Sequence, residues 1–258
     1  MKTWAFIQMR MNSSRLPRKP FALINGKPLI ERVLGQVKRF GNLDGIAFLS
    51  TINPKDDELE AYYQKQGIAF YRGSENDIVD RFLQAANKFG ADRIVRIWGD
   101  CPLVHHEVIE KMLLEHEKAG ADMTTNSQPA TFPFGLNVEI YNRTAFQRIF
   151  DSSNDPFFRE FPSEFIKKDS SMKLHSVKHS EDLSAITLTI DYEADRVLSE
   201  KIYAELEAKY PDWSLADLIK VCKEHAEWFR NNQKLGRNID FKEKMNQHNP
   251  SSISGGNS

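Results

Sequence analysis

The chain has 258 residues, enough for one large α/β domain or two small ones, and its 40% apolar and 28% charged content is that of an ordinary globular protein. A formal net charge of −1 excludes a global basic field for nucleic acid, so any anion site must be local. Two distant cysteines, Cys101 and Cys222, argue against a disulfide framework or a cysteine-rich zinc site. No stretch approaches the length of a membrane span, and the first apolar run is too short for a signal-peptide core, so a cytoplasmic location is expected.

The first predicted strand covers residues 4–9. It leads into the stretch Arg10-Met-Asn-Ser-Ser-Arg-Leu-Pro-Arg-Lys19, and no acidic residue precedes Glu31. Open α/β sheets bind ligands at the carboxyl ends of their strands. Arginines, a lysine and serines on such a loop suit a polyphosphate, because guanidinium forks, hydroxyls and loop amides all donate to phosphate oxygens. A solvated basic loop is the plainer reading. Residues 28–40 show helical apolar spacing, residues 45–51 read as a strand, and residues 56–66 form a helix after an Asn-Pro turn. A strand at 69–71 precedes Arg72, Gly73 and a helix at 77–89, where Arg81 either faces the pocket or is a surface arginine. The strand 93–98 ends at Gly99-Asp100, and Pro102 is expected to open the next helix, at 107–119. Asp100 then serves either as an N-cap or as a ligand for Mg²⁺ at a polyphosphate site.

Further strands are expected at 123–125, 137–141 and 184–190. The turn Phe132-Pro-Phe-Gly135 lies before the strand at 137–141, and its aromatics suit the pocket of a second substrate or a plain loop. Residues 142–183 break the rhythm and read as an irregular subdomain, lid or dimer arm. The strand at 184–190 stops at Asp191, again a cap or a ligand. Two such aspartates on one sheet edge can share one hard cation. Residues 191–233 look helical with a break near 210–213, and residues 246–258 read as disordered. Strand–helix alternation predicts a three-layer α/β/α sandwich with a mostly parallel sheet. Seven histidines show no zinc spacing, and the glycine-rich phosphate loops of P-loop and dinucleotide proteins are missing.

These residues resemble the sugar cytidylyltransferases, and most of all their spore-coat polysaccharide branch. The motifs carrying the resemblance include Gln8 to Lys19, Thr51 to Asp57, Arg72 to Asp77 with Arg81, Gly99 to Leu103, Gly135 to Glu139, Arg159-Glu160 and Thr189 to Asp191. They run in order from about residue 4 to residue 206. The resemblance implies a dimeric nucleotidyltransferase fold over 1–236, with 132–183 on the acceptor or dimer side and a tail at 237–258. It implies Mg²⁺-dependent transfer from a nucleoside triphosphate, CTP favoured, to a sugar-like acceptor, with pyrophosphate released. Guanylyl or uridylyl transfer, glycosyl transfer and a non-catalytic nucleotide-binding role are the alternatives; no membrane or nucleic-acid partner is expected. By position, Arg10, Ser14, Arg15 and Lys19 would hold the triphosphate, with Arg15, Lys19 and Asp100 catalytic and Asp100 and Asp191 on the metal. Gln8, Ser13, Arg72, Gly73, Arg81 and Gly99 would complete the nucleotide side. Pro133, Gly135, Asn137, Glu139 and Arg159 would meet the acceptor. Met11-Asn12, Trp98 and the Asp191-Tyr-Glu-Ala-Asp195 stretch depart from the usual pattern.

Overall fold

Strand β1 (Thr3–Gln8) lies between two parallel neighbours, β4 (Gly45–Thr51) and β6 (Arg93–Trp98). It is covered on both faces, which is why its sequence is a nearly continuous apolar run rather than an alternating one. The computed structural model describes residues 1–230, 232 and 239–248. The seven-stranded sheet has the order β5-β4-β1-β6-β8-β7-β9, where β5 is Ala69–Gly73, β7 Met123–Thr125, β8 Glu139–Asn142 and β9 Leu174–Ser176. β8 runs antiparallel to both β6 and β7, while β7 and β9 are parallel. The strand order reverses between β1 and β6, so their carboxyl ends open the crevice where such sheets take ligands. A short hairpin, β2 (Leu23–Ile24) with β3 (Lys27–Pro28), follows the basic loop.

Successive side chains of β1 point to opposite faces. Ala5 and Ile7 join a core beneath α1 (Leu29–Lys38), α2 (Asp57–Lys65), α4 (His106–Ala119), α8 (Glu193–Lys209) and α9 (Leu215–Glu224). Phe6 points the other way, into a core under α3 (Ile78–Phe89), α5 (Arg143–Ser152) and α7 (Pro162–Lys168). The result is the expected three-layer sandwich.

Three local expectations change. The stretch 142–183 is not irregular: it holds α5, α6 (Pro156–Glu160), α7 and β9. The stretch 184–190 is not a strand. It is an extended segment with one bridge, Phe134 to Thr187, and its apolar Leu188 and Ile190 are buried because it threads between loops. The C-terminal stretch contains a helix, α10 (Ile239–His248). Its last turn reaches into the region expected to be disordered, and residues 249–258 lie outside the described residues.

Candidate active site

The basic loop is shaped by hydrogen bonds to the body of the fold and within itself. Asp56, 1% exposed, accepts the Met11 N–H at 2.7 Å through one carboxylate oxygen. Its other oxygen accepts the Thr51 N–H at 2.8 Å and the Thr51 hydroxyl at 2.6 Å. The loop's entry is thereby tied to the end of β4. Ser13 Oγ accepts the Leu16 N–H at 3.2 Å, and buried Leu16 anchors the far side. Arg18 takes a left-handed backbone, φ 55°, a conformation that costs a residue with a Cβ about a kilocalorie. This turn leads into Lys19, whose side chain faces back over the strand ends.

Lys19 Nζ is the meeting point of the site. It donates to the Ile190 carbonyl at 2.7 Å and to Asp191 Oδ1 at 3.1 Å, and it lies 3.4 Å from Asp100 Oδ2. Arg15 approaches the same Asp191 oxygen at 3.1 Å with its guanidinium over the Tyr192 ring. The extended segment before α8 is fastened to the turn after β6 by the Ile190 N–H donating to the Asp100 carbonyl at 2.9 Å. Burial pulls the Lys19 pKa down, but the charges and hydrogen bonds of Asp100 and Asp191 outweigh it and leave the group above its ordinary 10.5. Lys19 is therefore a fixed cation.

Neither aspartate occupies the N-cap position of a helix: His105 holds it at α4 and Tyr192 at α8. The residues after Asp100 form a turn, and Pro102 does not open a helix; α4 starts only at His106, capped by His105 Nδ1 accepting the Glu107 N–H at 3.3 Å. At α8 it is Asp195 that accepts the backbone N–H groups of Asp191 and Tyr192, each at 2.9 Å. Both candidate carboxylates thus converge on one cation position. Hard oxygen donors meeting near one point are a donor set Mg²⁺ takes, so these two residues would fit that ion. His105, His106 and Glu107 also cluster, but the His105 Nδ1 lone pair is committed to the cap and the Glu107 carboxylate accepts the Leu215 N–H.

Gly99 lets β6 end flush against β1. A Cβ there would lie 2.7 Å from the Gln8 carbonyl oxygen and from Met9 Cε. Gly135, φ 110°, does the same for the turn before β8, where a Cβ would meet the Leu188 backbone at 2.8 Å. Asn137 Oδ1 accepts the Gly135 N–H. Buried Asn126 holds the same turn through the Leu136 carbonyl and the Val138 N–H, both at 2.9 Å. Pro133 is buried within it.

Other expected residues take distinct places. Gln8 Oε1 accepts from Arg96 Nε at 3.1 Å, and Arg96 pairs with Glu139 at 3.0 Å with both side chains buried. Tyr141 donates to the same Glu139 oxygen. Glu139 therefore orients Arg96. Arg72 does not reach the Lys19 cluster: it is bound to Glu60, Asp57 and the carbonyls of Thr51 and Asn53. Arg159 pairs with Asp77 at the start of α3. Arg10 and Ser14 are exposed. Gly73 packs under Arg81, which is 5% exposed and donates to the Ser74 carbonyl at 2.7 Å. Its Nε has no hydrogen-bond partner among the described residues. Burial first, then the charges of Arg96 and Arg10, push its pKa down to about 10. Sequence reasoning missed Asp56, Arg96, Asn126 and Asp195. Each is a polar residue in an apolar or turn setting, but only the tertiary fold reveals what it holds.

Residues 4–235 match the sequence model of a family described as cytidylyltransferase. The chain belongs to the cytidylyltransferase family. It is thus an enzyme of the nucleotidyltransferase kind. Among solved structures it is similar to a cytidylyltransferase from Leptospira borgpetersenii serovar Hardjo-bovis, at 28% identity and a TM-score of 0.82, covering 92% of this chain and 99% of that one. It is 26% identical over 226 residues to the spore coat polysaccharide biosynthesis protein SpsF of Bacillus subtilis, covering 83% of this chain and 91% of that one. It is 31% identical over 205 residues to the 3-deoxy-manno-octulosonate cytidylyltransferase of Francisella tularensis subsp. novicida, covering 78% and 77%. Among the described residues, no helix is long and apolar enough to cross a membrane.

Proposed function

We propose that this cytidylyltransferase uses CTP to activate an acidic, sugar-like acceptor for surface glycan synthesis. The observation that carries the reading is the convergence of Asp100, Asp191 and Arg15 around the Lys19 ammonium at the strand-order reversal. The named substrates of the relatives support CTP and a sugar acid.

In the reaction the acceptor oxygen forms a bond to the α-phosphorus of CTP, and the bond from that phosphorus to the bridging oxygen of pyrophosphate breaks. An acceptor hydroxyl releases its proton to solvent; a phosphoryl oxygen attacks as the anion. Arg15 and Lys19 hold the outer phosphates and neutralise charge that grows on the leaving group, an effect worth most where the donors are already fixed. Gly99 and the turn at Gly135 set the distance between nucleotide and acceptor, which is the proximity term of the rate. Asp100 and Asp191 would hold Mg²⁺, which when bound supplies positive charge to the phosphate oxygens. The active form is a homodimer in the cytoplasm.

The test is a screen of the four nucleoside triphosphates against acid sugars, sugar phosphates and phosphonates, reading pyrophosphate release. CTP with an acidic sugar is the expected pair. Release with GTP or UTP instead would transfer the reading to guanylyl or uridylyl transfer, and nucleotide binding with no release for any pair would sink it.

A further inference from the structure

We infer that α10 is a clasp that positions α6, and through it Arg159, on the acceptor side of the site. The inference rests on the reading of that side given above. α10 lies beyond residues 4–235, the span that matches the family. It nevertheless lies against α6 through specific contacts. The His248 ring stacks on Phe157 at 4.3 Å with an 11° interplanar angle and meets Phe158 edge-on at 5.1 Å. Phe241 meets Phe161 edge-on at 5.0 Å. Lys244 donates to both Glu160 oxygens, at 2.7 and 2.6 Å.

Arg159 leaves the same helix toward the start of α3. Its Nε donates to Asp77 Oδ2 at 2.7 Å, and its guanidinium lies 4.1 Å over the Phe150 ring while donating to the Phe150 carbonyl. Asp77 is the N-cap of α3, accepting the Asp80 N–H at 2.8 Å, and Arg81 follows one turn later on α3. α6 has five residues, too few to hold a helix by its own hydrogen bonds. Its place is therefore set by what grips it: Asp77 and Phe150 through Arg159, and α10 through the aromatic cluster. Lys19, Asp100 and Asp191 are placed by the sheet and by the segment before α8, not by α6. Loss of α10 should therefore loosen the acceptor side and spare the triphosphate side.

The experiment compares the full chain with a truncation ending at Asn238, with the double variant F241A/H248A, and with H248F, which keeps a ring to stack on Phe157. Hydrogen exchange is expected to speed up about tenfold or more at 156–161 and 77–80 in the truncation and in F241A/H248A, with H248F close to the full chain and β6 unchanged in all. Calorimetry with CTP should give unchanged affinity. With the acceptor that supports pyrophosphate release in the full chain, KM for that acceptor should rise about tenfold or more while KM for CTP holds. Unchanged exchange at 156–161, or equal losses toward CTP and acceptor, would overturn the clasp. A full chain that releases no pyrophosphate with any acceptor would instead remove the reading of the reaction, and the exchange arm would still decide whether α10 grips α6.

Discussion

At the scale of single residues, the site is a problem of like charges held together by one unlike charge. Asp100 and Asp191 face one position because Lys19 occupies it, and a triphosphate with a divalent cation offers the same complementarity with the signs distributed differently. Asp100→Asn and Asp191→Asn should each lower turnover roughly a hundredfold or more while leaving the melting temperature near that of the parent. Near-normal turnover of either at saturating Mg²⁺ would take that residue off the metal. Arg15→Ala should weaken CTP more than CMP in calorimetry, since its cation addresses the outer phosphates; equal losses would put it elsewhere. The Lys19 pKa is raised above 10.5, so its stabilising charge is fully present below that value and is lost only as pH rises through the higher folded value. An alkaline fall in rate below about pH 10 therefore belongs to another group.

At the scale of elements, the turn at Gly135 depends on one backbone crossing. Phe134 and the 186–188 segment exchange hydrogen bonds, Phe134 N–H to the Ile186 carbonyl at 2.8 Å and Leu188 N–H to the Phe134 carbonyl at 2.6 Å, and Gly135 is what lets them touch. Gly135→Ala puts a methyl 2.8 Å from the Leu188 carbonyl carbon at a positive φ, so both sterics and backbone oppose it. The expected result is a loss of about 2 kcal/mol or more in denaturant titration with displaced Asp191 and reduced turnover; a neutral effect would show that this crossing can open without cost. Sequence reading worked where elements repeat a period. The strands at 45–51 and 93–98 were legible to the residue, as apolar runs bounded by turn residues. It failed at 184–190, whose buried Leu188 and Ile190 imitate a strand although the segment's partners are loops. It failed again at 142–183, where α6 and α7 are too short to show helical spacing. That Arg15, Lys19, Asp100 and Asp191 come together was legible because charge after an apolar run is a local signal. Asp56 and Arg96 were not, because their partners are distant in the chain.

At the scale of the whole molecule, imidazoles in the core should make stability fall in acid. His105 is fully buried against Trp213 and His106. Burial, then His106, lowers its pKa from 6.5 to about 3. His106 and His116 are lowered as well, chiefly by burial. A depressed histidine pKa means that the unfolded chain binds the proton first, so stability is full above pH 6.5 and drains as pH falls from there toward 3. For His105 alone the loss is on the order of a few kcal/mol. His105→Asn keeps an N-cap acceptor for α4 and removes the titration. Its melting temperature should be lower at pH 7 but fall less steeply between pH 6.5 and 4. A slope equal to the parent's would assign the acid sensitivity to other groups.

Lys19 and Asp191 are 172 residues apart in the chain, and Arg15 and Asp191 are 176 apart. During synthesis the cationic loop therefore leaves the ribosome long before its second carboxylate exists. β1, made first, must wait for β4 and then β6 to be threaded on either side of it. Contacts of such long separation close slowly. Until Asp191 and its segment have emerged, the growing chain carries a basic loop without one of the carboxylates it pairs with. The Lys19–Asp191 and Arg15–Asp191 pairs can therefore form only late in synthesis.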